Sequence, residues 1–186
     1  MTRSVIICGC LFSLCGCAGG LPKHMIISPQ WVDGLPFEPT VAAPELGFTV
    51  NLPNKDWMAK RNYVNSKLMS FDLVNPRHDA VIKLMDHRVG EKAAGGPRAE
   101  AERLRRVYSD FGVEMTEVAA SRDGRTATFS YEIREGLSRV SKRVIVVAPT
   151  GSEETVLVFR GEWPPGSDPV MTSDMQAIVE TAKAVE

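Results

Sequence analysis

Asp123-Gly124 stands between two candidate strands, and no other feature restricts the fold of this chain more tightly. In residues 126–134, Ala127, Phe129, Tyr131 and Ile133 alternate with Thr128, Ser130, Glu132 and Arg134. A period of two puts the first set on one face of a strand and the second on the other, one dry and one wet. Residues 113–121 supply the partner run. An Asp-Gly pair between them predicts a hairpin, because a type I′ turn needs positive φ at both central residues. An antiparallel sheet is therefore the starting point.

The alternation recurs along the chain. Phe48, Val50 and Leu52 alternate and are stopped by Pro53-Asn54. Residues 57–63, 67–74 and 80–88 read as further strands, the last two separated by an Asn75-Pro76 turn. Residues 140–148 and 155–163 form another pair around Pro149-Thr150-Gly151-Ser152. Val144, Ile145, Val146 and Val147 are continuously apolar, the mark of a central strand covered on both faces. Trp163, before Pro164-Pro165-Gly166, reads as edge-strand core, with an exposed Trp-Pro corner for a partner as the alternative.

Twice the period changes to 3.6. Ala101, Leu104, Tyr108 and Phe111 share one helical face behind Gly96-Pro97, with Gly112 as the stop, which predicts about four turns of helix. Met171, Met175, Ile178, Val179, Ala182 and Val185 form a second stripe. That helix starts at Asp168-Pro169, or at Ser173 with Gln176 in a capping-box position. The predicted fold class is α+β, an antiparallel β-sheet of about seven or eight strands covered by a mid-chain helix and a C-terminal helix. A composition of 44% apolar and 24% charged residues suits one globular domain.

The cysteines say most about the chain's ends. All four (Cys8, Cys10, Cys15, Cys17) lie in the first 17 residues, so the body after them holds no disulfide, thiol nucleophile or cysteine metal site. Arg3 gives a basic start, residues 5–14 are an apolar run, and small residues follow. This is a secretory layout, too short for a permanent membrane span. Leu14-Cys15-Gly16-Cys17 resembles the bacterial lipobox, in which the last cysteine is diacylated and becomes the new N-terminus. Ile7-Cys8-Gly9-Cys10 has the same local pattern but leaves too short an apolar run. The expected organisation is thus a lipoprotein signal peptide over 1–16, a lipid-anchored tether over 17–45 rich in Gly and Pro, and a single domain over 46–186. Several acyl chains on Cys17, at about 0.8 kcal/mol per buried methylene, hold a protein on a membrane. Ala18 stands where sorting rules of enteric-type bacteria place an inner-membrane retention Asp, which by resemblance favours the periplasmic face of the outer membrane.

Candidate chemistry is sparse. Without residues 1–16 the chain has 21 basic and 23 acidic residues, a near-neutral body with no basic face for a nucleic acid. His24 lies in the tether. His78 and His87 stand at opposite ends of a predicted strand, about 30 Å apart if extended, unlike the i, i+4 spacing of paired metal ligands. Asp79, Asp86 and His87 are weighed as a cation site against solvated strand ends, and the latter fits the spacing better. No Gly-x-Ser-x-Gly elbow occurs, and Gly95-Gly96-Pro97 lacks the Lys-Ser/Thr of a phosphate cradle. Arg98, Arg103, Arg105 and Arg106 alternate with Glu100 and Glu102, as on a solvated helix face or a docking patch. No catalytic residue, cofactor or metal is expected.

This element order, with Phe48-Thr49-Val50-Asn51-Leu52-Pro53 leading into Asp56-Trp57, is similar to the PsbP-like α/β/α sandwich family over residues 46–186. The resemblance implies a sheet covered by a mid-chain and a C-terminal helix, and a binding or accessory role. It carries over no site residues. The expected function is a membrane-tethered envelope lipoprotein acting as a binding or assembly module for an envelope protein. The alternative is an envelope hydrolase or small-ligand carrier whose polar residues, such as His78, Asp79 and His87, meet only in the fold.

Overall fold

A computed structural model describes residues 37, 39–43, 47–64, 67–85, 95–151 and 155–185. The signal segment, Cys17, His24, Asp86 and His87 lie outside the described residues. Among the described residues, ten strands and two α-helices follow in the order β1 (Thr40–Ala43), β2 (Phe48–Asn51), β3 (Met58–Val64), β4 (Lys67–Asn75), β5 (Ala80–Met85), α1 (Gly96–Ser109), β6 (Ala119–Ala120), β7 (Thr126–Glu135), β8 (Ser138–Val147), β9 (Leu157–Trp163), α2 (Asp168–Glu180) and β10 (Lys183–Ala184). Seven strands form one antiparallel sheet in the order β3-β4-β5-β9-β8-β7-β6. The other three form a small sheet, β1-β2-β10. The fold is α+β, as the periodicities predict. The second sheet is new, because β1 falls in the stretch read as tether and β10 is two residues long, too brief to show a period.

Period-two alternation in β8 and β9 builds two cores. Val144 and Val146 of β8 and Val158 of β9 face α1, packing with Ala101, Leu104, Ala127 and Phe129. Ile145, Val147, Leu157, Phe159 and Trp163 face the other way, against Met171, Met175 and Ile178 of α2 and Phe48 and Val50 of β2. The uninterrupted apolar run at 144–147 thus has a covered face on each side, as a central strand requires. α2 begins at Asp168, so the Asp168-Pro169 start is the one adopted.

Several expectations need correction. Trp163 is on a central strand between β5 and β8, 1% exposed, with its indole N–H donating to Asp168 Oδ1 at 2.9 Å; it is neither edge core nor an exposed corner. Phe111 lies beyond α1 and is 77% exposed, because Phe111 N–H bonds back to the Tyr108 carbonyl and Gly112, at φ 72°, turns the chain off the helix. Val185 lies beyond α2 and is likewise exposed.

The expected strand 113–121 contracts to β6 and one bridge between Met115 and Tyr131. Its packed apolar residues, Met115 and Val118, are three apart, so no strand period exists there. The Thr116 hydroxyl also accepts the Ser130 N–H at 2.9 Å, displacing a ladder carbonyl. At Asp123-Gly124 only Gly124 has positive φ, 71°. Gly124 N–H bonds to the Ser121 carbonyl, making a type I turn with a left-handed exit instead of type I′. The Asp123 carboxylate accepts from Ser121 Oγ (2.6 Å) and Arg125 N (3.1 Å), bonds that hold its pKa below the usual carboxylate range and favour this turn.

Candidate functional site

On the α2 side the large sheet is covered by α2 and the small sheet. On the opposite side, α1 packs over β7 and β8. No described element lies over β3, β4 and β5 on that side. Cross-strand register gathers charge here in two adjacent rows. Lys60 faces Asp72, Asp72 faces Lys83, and Lys83 faces Arg160. In the next row Val81 faces Glu162, Glu162 faces Lys142, and Lys142 faces Tyr131.

Glu162 is the hub. Its Oε2 is 3.4 Å from Lys83 Nζ, and its Oε1 is 3.4 Å from Lys142 Nζ and 3.0 Å from Arg160 Nε. The Arg160 Nε–H is not aimed at that oxygen, so the pair is held by charge and not by an aligned hydrogen bond. Lys142 also reaches Glu135 at 3.1 Å. Arg160 hydrogen-bonds Tyr108, whose ring lies 5.7 Å from Tyr131 and 6.1 Å from Phe129, an aromatic wall along the α1 margin of the cluster.

The electrostatics decide what such a cluster does. Burial alone would raise the Glu162 carboxyl, but Lys142, Lys83 and Arg160 together outweigh it and hold the pKa below its ordinary value. Burial would lower the Arg160 guanidinium, and the Glu162 charge with Tyr108 raises it instead. Burial, with Tyr108 beside it, pushes the Tyr131 phenol up to about 12. Proton transfer near neutral pH wants a group poised near 7. All three shifts run away from neutrality, so these groups act as fixed charges and donors, suited to recognition.

The residues singled out from sequence are scattered. His78 ends the 3-10 turn Pro76–His78 and Asp79 follows it, exposed, at φ 51°, on the rim between β4 and β5. Among the described residues no three His, Cys, Asp or Glu side chains gather to hold a metal. On α1, Arg98 pairs with Glu102 at 3.0 Å on the solvated face, and exposed Arg103 pairs with half-buried Glu100 at 2.6 Å. Arg105 Nε donates to the Thr116 carbonyl at 2.8 Å, bracing the helix on the chain that follows it. Gly95 and Gly96 both have positive φ, and a Cβ at Gly95 would stand 2.7 Å from Ala99 Cβ, so this glycine pair is a helix start.

Sequence reasoning missed Lys83, Lys142, Arg160 and Glu162. The available signal was charge at alternate positions inside otherwise apolar central strands: Lys83 between Ile82 and Leu84, Arg160 between Phe159 and Gly161. Beside the cluster, a groove of about 570 Å³ opens where residues 114–116 run along β7, with Met115, Tyr131, Glu132, Lys142 and Asp168 among its lining residues.

No family model matches the sequence, and no curated protein matches it. Solved structures do match in three dimensions. The solution structure of cyanobacterial PsbP (CyanoP) from Synechocystis superposes with a TM-score of 0.52 at 11% identity, covering 78% of this chain and 91% of that one. The crystal structure of the Ran-binding protein Mog1p from Saccharomyces cerevisiae superposes with a TM-score of 0.51 at 12% identity, covering 79% and 95%. At such identities the likeness is one of fold, and the fold is PsbP-like.

Proposed function

We propose that this chain is a membrane-tethered lipoprotein of a bacterial envelope, acylated on Cys17, whose domain is a non-catalytic binding or assembly module. The observation that carries the binding role is the sheet face beside α1. Lys83, Lys142, Arg160 and Glu162 stand there in fixed ion pairs next to half-buried Val74 and Val81, over strands that no described element covers. An apolar patch with preset charges matches the make-up of a protein interface. Mog1p, which shares the fold, is a Ran-binding protein, so a PsbP-like domain can serve a protein partner. The lipobox-like Leu14-Cys15-Gly16-Cys17 supports the anchor, and Ala18 supports the periplasmic face of the outer membrane.

A photo-crosslinking amino acid in place of exposed Lys60, on this face, should trap one dominant envelope protein in intact cells. Adducts spread over unrelated neighbours would remove the binding role. Labelled palmitate should enter the wild type and not Cys17→Ser, and membrane fractionation should place the wild type with the outer membrane. Incorporation into Cys17→Ser would remove the anchor assignment.

A further inference from the structure

The β7–β8 hairpin ends in a tip whose composition works against the fold. Glu135 and Ser138 are the last cross-strand pair, so Gly136 and Leu137 form a two-residue loop. Gly136, at φ 62°, supplies the conformation that the first loop position of a type II′ turn needs. Leu137 fills the second position and is fully exposed, 104%. It touches no core, and a turn position of this kind has no use for an aliphatic side chain.

The next pair inward is Arg134 opposite Arg139. Both are exposed, and neither has an ion pair or hydrogen bond among the described residues. Side chains directly opposed on two strands have Cβ atoms about 5 Å apart, and like charges there destabilise the hairpin. Glu135, the acid closest in sequence, is taken by Lys142 on the other face of the sheet. Antiparallel pairing of Met115 with Tyr131 carries the chain before Met115 toward the same end, which brings in exposed Phe111. Asp110 and Glu114 flank Phe111 and Glu132 stands two pairs inward of Arg134, on the same face, so the region as a whole is not a basic patch.

We infer that the Gly136-Leu137 tip is a docking element for a partner protein that offers Leu137 an apolar pocket and the Arg134–Arg139 pair a carboxylate. Arg is enriched at protein interfaces and its guanidinium is the group that binding hot spots use, and two adjacent guanidinium groups beside an exposed apolar side chain can share one carboxylate through charge-assisted hydrogen bonds. A lipid surface fits less well, since attraction to anionic headgroups scales with local positive charge and the acids around Phe111 cancel it. Position argues the same way. Residue 39 bonds to Leu52 beside Thr181 at the end of α2, and Thr150, past the end of β8, pairs with Lys183. The chain thus enters the domain at the end of β8 remote from the tip, about 33 Å away for ten residues of strand. An N-terminal anchor leaves the tip free to point away from the membrane.

This inference rests on the reading of the domain as a binding module, and one experiment separates the two. A photo-crosslinking amino acid is placed at Leu137, at Lys60 on the sheet face beside α1, and at exposed Arg122 on the opposite rim, in the full chain in intact cells. The expected result is one dominant protein adduct from position 137 and none from 122. The crosslinked peptide, mapped by mass spectrometry, should carry Asp or Glu, and Arg134→Glu should abolish the adduct. In purified protein the same Arg134→Glu variant should raise Tm by about 1–4 °C by turning a repulsive pair into an ion pair, which excludes misfolding as the cause of the loss. Adducts to lipid or to a second copy of the chain, an adduct that survives Arg134→Glu, or a fall in Tm would overturn the inference. A trapped partner from Lys60 with none from 137 overturns the tip alone; none from either position overturns both readings.

Discussion

Trp163 lays its indole over the backbone of Gly161, so closely that a Cβ on Gly161 would stand 2.1 Å from Trp163 Cζ3 and 2.8 Å from Met175 Sδ. The ring occupies the volume that every other residue would fill with its own side chain. This is how β9 admits a large aromatic between the sheet and α2, with the indole N–H held by Asp168 at the first turn of the helix.

Gly161→Ala should therefore destabilise the domain by about 1–3 kcal/mol, because the indole cannot move without displacing α2. Urea unfolding followed by Trp fluorescence measures it. A change below about 0.5 kcal/mol would show that the ring has room to shift, as at an ordinary surface site.

Asp174 of α2 accepts the Trp57 indole N–H at 2.7 Å and lies 3.5 Å from Asn54 Nδ2. Trp57 is 2% exposed, so Asp174→Ala leaves a buried donor without its acceptor. The expected loss is about 1–3 kcal/mol, with a shift in the Trp57 emission. Asp174→Asn, which keeps an oxygen acceptor, should recover part of it. Equal losses in the two variants would mean that the hydrogen bond is immaterial.

Glu162→Gln removes the shared anion from Lys83, Lys142 and Arg160, and should lower stability at pH 7 by about 2–3 kcal/mol. The folded pKa of Glu162 lies below its ordinary value, so its contribution is full above that ordinary value, near 4.5, and is lost as pH falls through the lower folded value. The wild type and Glu162→Gln should accordingly converge in Tm as pH is lowered from 7 to 3. A gap that stays constant over that range would place the effect in packing instead of charge.

Tyr131 has the opposite dependence. Its phenol, pushed up to about 12 from an ordinary 10, stays neutral in the folded protein while the unfolded chain ionises. Stability should fall between these values, since the unfolded state holds fewer protons there. Tyr131→Phe should decline less steeply with pH over that window, and a titration of tyrosinate absorbance should lose its most alkaline component. An unchanged titration would assign that component to another tyrosine.

The strands and helices were legible where one period ran long enough to be unambiguous. β7 announced itself through Ala127, Phe129, Tyr131 and Ile133, β8 through its doubly buried run, and both helices through stripes that the cores confirm. Phe111 was misread because spacing shows a face but not where the face ends: Gly112 is the stop expected, but the helix closes at Ser109, two residues before Phe111. The tip was overlooked because Gly136-Leu137 lacks the Asn-Gly or Asp-Gly chemistry that marks a two-residue turn.

Sequence by itself determined the alternation that makes each strand two-sided, the change of period that makes the helices, and the absence of any cysteine beyond Cys17. These are local properties, set by which neighbours along the chain can share a face. Only the tertiary structure decided that Lys83, Lys142, Arg160 and Glu162 would meet, because they come from three strands whose register is fixed by pairing between residues up to 81 positions apart, as with Val81 and Glu162. A charge at an alternate position reads the same from sequence whether it faces water or an opposite charge. Which of the two it meets depends on which strand lies beside it, and that is settled when the two cores close.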